Sequence, residues 1–262
     1  MKVFDDGSGS ALYVAGFFNK VGTLSVPGVA RWNGSNWSAL GSGLDGVINS
    51  FAVFKDGSGS ALFAGGQFAI VERGQRQECS VAKWNGTRWM AIGESGRALL
   101  DQFVFSLTVH DDGSGPALYA GGAFGGVQGT QRRLRSVAKW TGSDWVPLAR
   151  GPSGDFGTVR AMVSFDDGFG ARLYVGGSFG SAAPSSVSGV AQWDGNVWTG
   201  LEGGLEGANG DSSVNAMLIH DDGQGRGVYF GGAFLRSAGK SPFVSNRMAK
   251  WYRSSVPCPP AP

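Results

Sequence analysis

Short apolar segments bounded by Gly- and Asp-rich turns run the length of the chain, and no stretch sustains helical spacing. The segments recur. VFDDGSGSALYVAGFF opens at Val3, VFKDGSGSALFAGGQF at Val53 and VHDDGSGPALYAGGAF at Val109. SFDDGFGARLYVGGSF opens at Ser164 and IHDDGQGRGVYFGGAF at Ile219. After a variable stretch each copy carries an aromatic hairpin: VARWNGSNW from Val29, VAKWNGTRW from Val81, VAKWTGSDW from Val137 and VAQWDGNVW from Val190. The fifth copy offers only MAKWYRS from Met248. All nine tryptophans fall in this motif, as four pairs and the single Trp251. Chance does not place them so, and the repeat governs the rest of the reading.

Each copy predicts four strands. Strand a precedes the DDG turn and strand b is the ALYAGGAF segment. Strands c and d flank a two-residue Asn-Gly or Asp-Gly turn, a strong hairpin signal. The Gly-Gly pairs late in strand b mark a bulge or a close backbone approach. Four-stranded units at a period near 50 residues suit radial propeller blades. The expectation is an all-β chain: a single β-propeller of five four-stranded blades, with 19 or 20 strands, over residues 1–253. Copies open near residues 1, 47, 103, 159 and 214, and residues 254–262 form a Pro-rich tail. Nothing after Trp251 reads as a strand d, so the last blade is expected to lack its outer strand. Its Met248–Trp251 strand should then be an open edge, a template for pairing.

An apolar strand ending in Gly-Gly, followed by a spaced aromatic pair, resembles the kelch motif. With DDGSGxALYAGG ahead of Trp-Asn-Gly-x-x-Trp, it is most similar to propeller repeats of large secreted bacterial proteins and of fungal cortical polarity markers. The first aromatic is Trp where kelch has Tyr. The resemblance covers nearly the whole chain and implies a propeller and an extracellular or cell-surface location. It implies little about chemistry, because such propellers include both enzymes and binding scaffolds.

Composition narrows the classes. A formal net charge of +2 gives no global field for nucleic acid or an anionic membrane. No apolar run approaches the roughly 18 residues of a membrane span. The 46 glycines follow no collagen period, and 12% aromatics is too rich for a disordered chain. Met1-Lys2-Val3-Phe4 opens directly on the first copy without a signal-peptide pattern, so the chain reads either as not secreted or as lacking its leader. Cys79 and Cys258 read either as a disulfide pinning the tail or as two unrelated thiols.

Strand alternation puts the a–b and c–d turns on one edge and the variable b–c and d–a connections on the other. Rigid scaffolds present function on variable loops. The candidate binding residues are therefore Arg73, Arg76, Arg132, Arg133, Arg135, Arg236 and Lys240, joined by Arg247 and diluted by Glu72 and Glu78. On the other edge the turns gather Asp5, Asp6, Asp56, Asp111, Asp112, Asp166, Asp167, Asp221 and Asp222. These carboxylates read as turn formers bonding their own backbone, with a Ca²⁺ site as the competing reading. The Trp pairs read as packing between blades, with sugar stacking as the competitor. His110 and His220 stand where other copies have Phe, as aromatic substitutes. Asn33, Asn36 and Asn85 lie in N-x-S/T sequons inside hairpin turns, informative only in a eukaryotic source. No nucleophile or acid–base constellation stands apart from the repeat. The expected function is a non-enzymatic extracellular or cell-surface scaffold working through a protein partner or self-association. A glycan-binding propeller lectin is the alternative, and neither nucleic-acid binding nor membrane insertion is expected.

Overall fold

The computed structural model describes residues 1–93, 99–148, 157–179, 188–201, 204–206, 212–237, 244–245 and 247–251. Among these residues the chain is all-β, and no helix is long and apolar enough to cross a membrane. Five four-stranded antiparallel sheets follow one another along the chain. The first is β1 (Lys2–Asp5), β2 (Ser10–Ala15), β5 (Val29–Trp32) and β6 (Trp37–Ala39), with a small hairpin of β3 (Lys20–Val21) and β4 (Leu24–Ser25) between β2 and β5. The second is β7 (Leu44–Lys55), β8 (Ser60–Glu72), β9 (Gln75–Trp84) and β10 (Trp89–Ala91). The third is β11 (Val104–Asp111), β12 (Pro116–Gly122), β13 (Val137–Trp140) and β14 (Trp145–Pro147). The fourth is β15 (Thr158–Asp166), β16 (Ala171–Ser178), β17 (Val190–Trp193) and β18 (Trp198–Gly200). The strands a to d expected of each copy are therefore present in sheet order in these four.

The fifth sheet differs. After the short pairing of β19 (Leu205–Glu206) with β22 (Arg236–Ser237), its order is β20 (Ser213–Asp221), β21 (Arg226–Ala233), β24 (Met248–Trp251) and β23 (Val244–Ser245). The outer position is filled by β23, from the b–c connection. Val244 pairs with Ala249 and Ser245 with Met248, so the edge expected to be open is half covered. Short pairings of this kind raise the strand count among the described residues to 24, above the expected 19 or 20. The Pro-rich tail, 254–262, lies outside the described residues, as does Cys258.

Local chemistry explains the turns. In the first a–b turn Asp5 Oδ1 accepts from the N–H groups of Gly7 and Gly9 at 2.9 and 3.0 Å. Both glycines sit at φ near +100°, a region that side chains disfavour. Asp111, with Gly113 and Gly115, and Asp166, with Gly168 and Gly170, repeat this bonding. In the c–d turns Asn33, Asn85 and Asp194 take the same role, accepting from the N–H groups two and three residues on.

The Gly-Gly pairs serve both expected purposes. A β-bulge in strand a faces each pair, between Ile48 and Ser50, Val104 and Ser106, Val159 and Ala161, and Val214 and Ala216. A Cβ on the second glycine would lie 1.9–2.0 Å from a carbonyl of the bulged strand, at Gly66, Gly122, Gly177 and Gly232. A Cβ on the first glycine would strike the next sheet: Leu107 and Val104 from Gly65, Met162 and Val159 from Gly121, Met217 and Val214 from Gly176.

The sheets pack face to face in chain order. Tyr13 and Val29 of the first meet Leu62, Ala64 and Trp84 of the second. Phe63 and Val81 of the second meet Leu118, Ala138 and Trp140 of the third. Tyr119 and Val137 then meet Leu173, Val175 and Trp193, and Tyr174 and Val190 meet Val228, Phe230 and Trp251. Each contact buries large aromatic area at about 25 cal/mol per Å² of apolar surface. Polar stitches cross the same boundaries. Leu107 N–H donates to Ser50 Oγ and Met162 N–H to Ser106 Oγ, at 3.0 and 3.1 Å. Trp84 Nε1–H donates to Asp6 Oδ2 at 3.1 Å.

Candidate functional site

The a–b turn edge spends its charges internally. The second Asp of the turn meets a basic side chain from strand c of the same sheet. Lys83 Nζ lies 2.6 Å from Asp56, Lys139 Nζ 2.7 Å from Asp112 and Lys250 Nζ 2.6 Å from Asp222. In the first sheet Arg31 instead donates to Ser8 Oγ and the Gly9 carbonyl. Tyr119 Oη–H donates to Asp112 Oδ2 at 2.8 Å. Burial alone would raise the pKa values of these carboxyls. The bonds from lysine, serine and tyrosine outweigh it and hold Asp56 and Asp112 below the usual carboxylate range. At Asp6, burial is likewise outweighed by bonds from Ser8, Tyr13 and Trp84, and the carboxyl titrates at about 2.

Among the described residues no three His, Cys, Asp or Glu side chains come close enough to share a metal ion. Asp5, Asp6, Asp111, Asp112, Asp166, Asp167, Asp221 and Asp222 are spread over four sheets, one pair to a turn. Seven tryptophans are buried, Trp84 and Trp140 among them, while Trp32 and Trp37 on the first sheet are half-buried. The buried pairs tilt against each other within their hairpins, as at Trp140 and Trp145 with centroids 5.2 Å apart, and Trp251 packs on Tyr174. Among the described residues the indole N–H groups of Trp89, Trp145 and Trp193 are buried and find no partner. His110 is buried, packs edge-on to Tyr119 and bonds Ser164 Oγ across the next sheet boundary at 2.9 Å. Its burial lowers its basicity. Cys79 is buried, which pushes its thiol up to about 12, far from a reactive thiolate.

The variable edge is different. In the second sheet the ladder runs past the body as a three-stranded arm, with Leu44 paired to Ile70 and Glu72 to Gln75. Arg73, at φ 52°, and Gly74, at φ 77°, form its tip. A groove of about 660 Å³ lies elsewhere, on the fifth sheet; beside the arm is one of about 600 Å³ lined by Glu72, Arg73, Gln75, Gln77, Arg88 and Trp89 together with Ile70, Met90 and Ala91. Arg88 reaches Glu72 across it at 3.5 Å.

The predicted basic residues take different places in the structure. Arg73 lines the arm groove. Arg76 is paired with Asp45 and with Glu78. Arg132 lies 2.5 Å from Asp144 and also donates to the Trp145 carbonyl. Arg133 sits in an isolated bridge to Gly126, and Arg135 takes φ 51°. Arg236 pairs its backbone with Glu206, and Lys240 lies outside the described residues. The sequence reading missed Arg88, Gln75 and Gln77. Gln75 to Glu78 are polar without a break, so no alternation in the sequence marks this part of β9 as a strand.

Comparison with family models, with curated proteins and with solved structures found no match.

Proposed function

We propose that this chain is a kelch-like β-propeller scaffold, its five sheets the blades, acting outside the cell or at its surface through protein contacts and not through catalysis. The observation that carries this reading is the division of labour between the two edges. Conspicuous chemical groups, the turn aspartates, His110, Cys79 and most tryptophans, are used to hold blades and turns together. Exposed polar groups of both signs collect on the arm and its groove, with an apolar floor from Ile70 and Trp89. Mixed charge around a small apolar floor suits a peptide or protein surface.

The test sets the protein beside an Arg73→Glu/Arg88→Glu variant on arrays of secreted and surface proteins and of glycans. Protein binding that the variant weakens about tenfold or more supports the scaffold. Glycan binding with quenched Trp fluorescence would replace it with a lectin. Turnover of glycans, esters or phosphoesters would overturn the non-enzymatic reading.

A further inference from the structure

The packing scheme used at four consecutive boundaries leaves two faces uncovered. On the fifth sheet, the face equivalent to the one each earlier sheet presses on its successor is exposed. Leu218 is 52% exposed and Met248 57%, whereas the residues matching Met248, namely Val29, Val81, Val137 and Val190, are all buried. On the first sheet the opposite face is uncovered. Val3 is 64% exposed, and Leu12 and Trp32 are half-buried where their counterparts Leu62 and Trp84 are buried.

Gly231 marks the fifth-sheet face as built for an occupant. Its counterparts Gly65, Gly121 and Gly176 must lack a side chain, because a Cβ there would come within 2.5–2.8 Å of the following sheet. At Gly231 the nearest atom is the Arg247 carbonyl at 3.9 Å. The space is a groove of about 660 Å³, with Ala216, Gly231, Gly232 and Phe234 in its lining. Over Gly121 sits Met162 and over Gly176 sits Met217, each three residues before the aromatic that ends strand a. In the first copy that position is Met1, which is 86% exposed.

We propose that the occupant is a second copy of this chain, which seats its first sheet on the fifth sheet with Met1 over Gly231. This rests on the scaffold reading and names its partner. The boundary continues the one already repeated inside the chain. It also places Trp32 of one copy to donate to Asp222 of the other, as Trp84 donates to Asp6. The faces differ, so the contact is heterologous and runs on into a ring or a filament.

Sedimentation velocity across protein concentration tests it, with two blocking variants. Gly231→Leu fills the socket where the chain itself has room, and Val3→Asp charges the opposite face. Wild type should associate into species beyond the dimer. Each variant alone should associate about tenfold or more weakly. Mixed, they should form a dimer of twice the 27.2 kDa protomer mass and stop, since only one pair of intact faces remains. A wild type that stays monomeric at every concentration overturns the proposal, because the two end faces then close on each other within one chain. Association that survives both substitutions also overturns it, because another surface is responsible. Neither result touches the scaffold reading, which the arm variant and the arrays decide separately.

Discussion

Aspartate and tryptophan carry most of the repeat, and both are structural for reasons visible at single residues. Asp112 shows why a run of carboxylates need not bind metal: one oxygen holds Ser114 and the other takes Lys139 and Tyr119. The turn role was legible in the DDG pattern. The lysine was not, although it recurs in VAKW at Lys83 and Lys139, because pairing across a sheet depends on register and not on spacing. The depressed pKa values set a pH dependence. A carboxyl whose folded value lies below its unfolded value of about 4 stabilises the fold above that pH, and the contribution is lost as pH falls through the folded value. For Asp6, at about 2, the shift corresponds to roughly 2 kcal/mol at most, and solvent screening at this exposed turn brings it nearer to about 1 kcal/mol. Urea unfolding at pH 7 and at pH 3 should show Asp6→Asn destabilising the protein at the higher pH and by roughly half as much at the lower. An equal effect at both would mean the charge contributes nothing. Trp140, buried between the second and third sheets, should cost roughly 3–5 kcal/mol when replaced by Ala, read as a shift of the urea midpoint. A loss under about 1 kcal/mol would place the ring in solvent.

At the level of elements, the hairpins and the Gly-Gly bulges were readable because turn chemistry is local: Asn-Gly and Asp-Gly impose backbone angles wherever they stand. The arm and β23 were not readable, because they lie in connections that no two copies share and pair through register. The Gly-Gly positions give a graded expectation. Gly121→Ala places a methyl 2.7 Å from Val159 and should cost about 1–3 kcal/mol, as overpacking does. Gly231→Ala, with open space above it, should change monomer stability by no more than about 0.5 kcal/mol. Thermal unfolding at low protein concentration compares them, and equal losses would mean that Gly231 is already covered. The arm tip belongs to the surface. Arg76→Ala breaks two exposed ion pairs and should shift stability by less than about 1 kcal/mol.

For the whole molecule, chain order is packing order. Each sheet presses an aromatic face on its successor, so the five copies form a series with two ends. That series was legible from the spacing of the copies. What covers its ends was not, because sequence periodicity describes neighbours and is silent about closure. Methionine oxidation by hydroxyl radicals, followed by mass spectrometry across a protein dilution series, tests the end faces most directly. In dilute solution Met1 and Met248 should oxidise readily and the buried Met162 should resist. As concentration rises, Met1 and Met248 should become protected together. Protection of both at every dilution would contradict the open series and mean that the fifth sheet closes on the first within one chain.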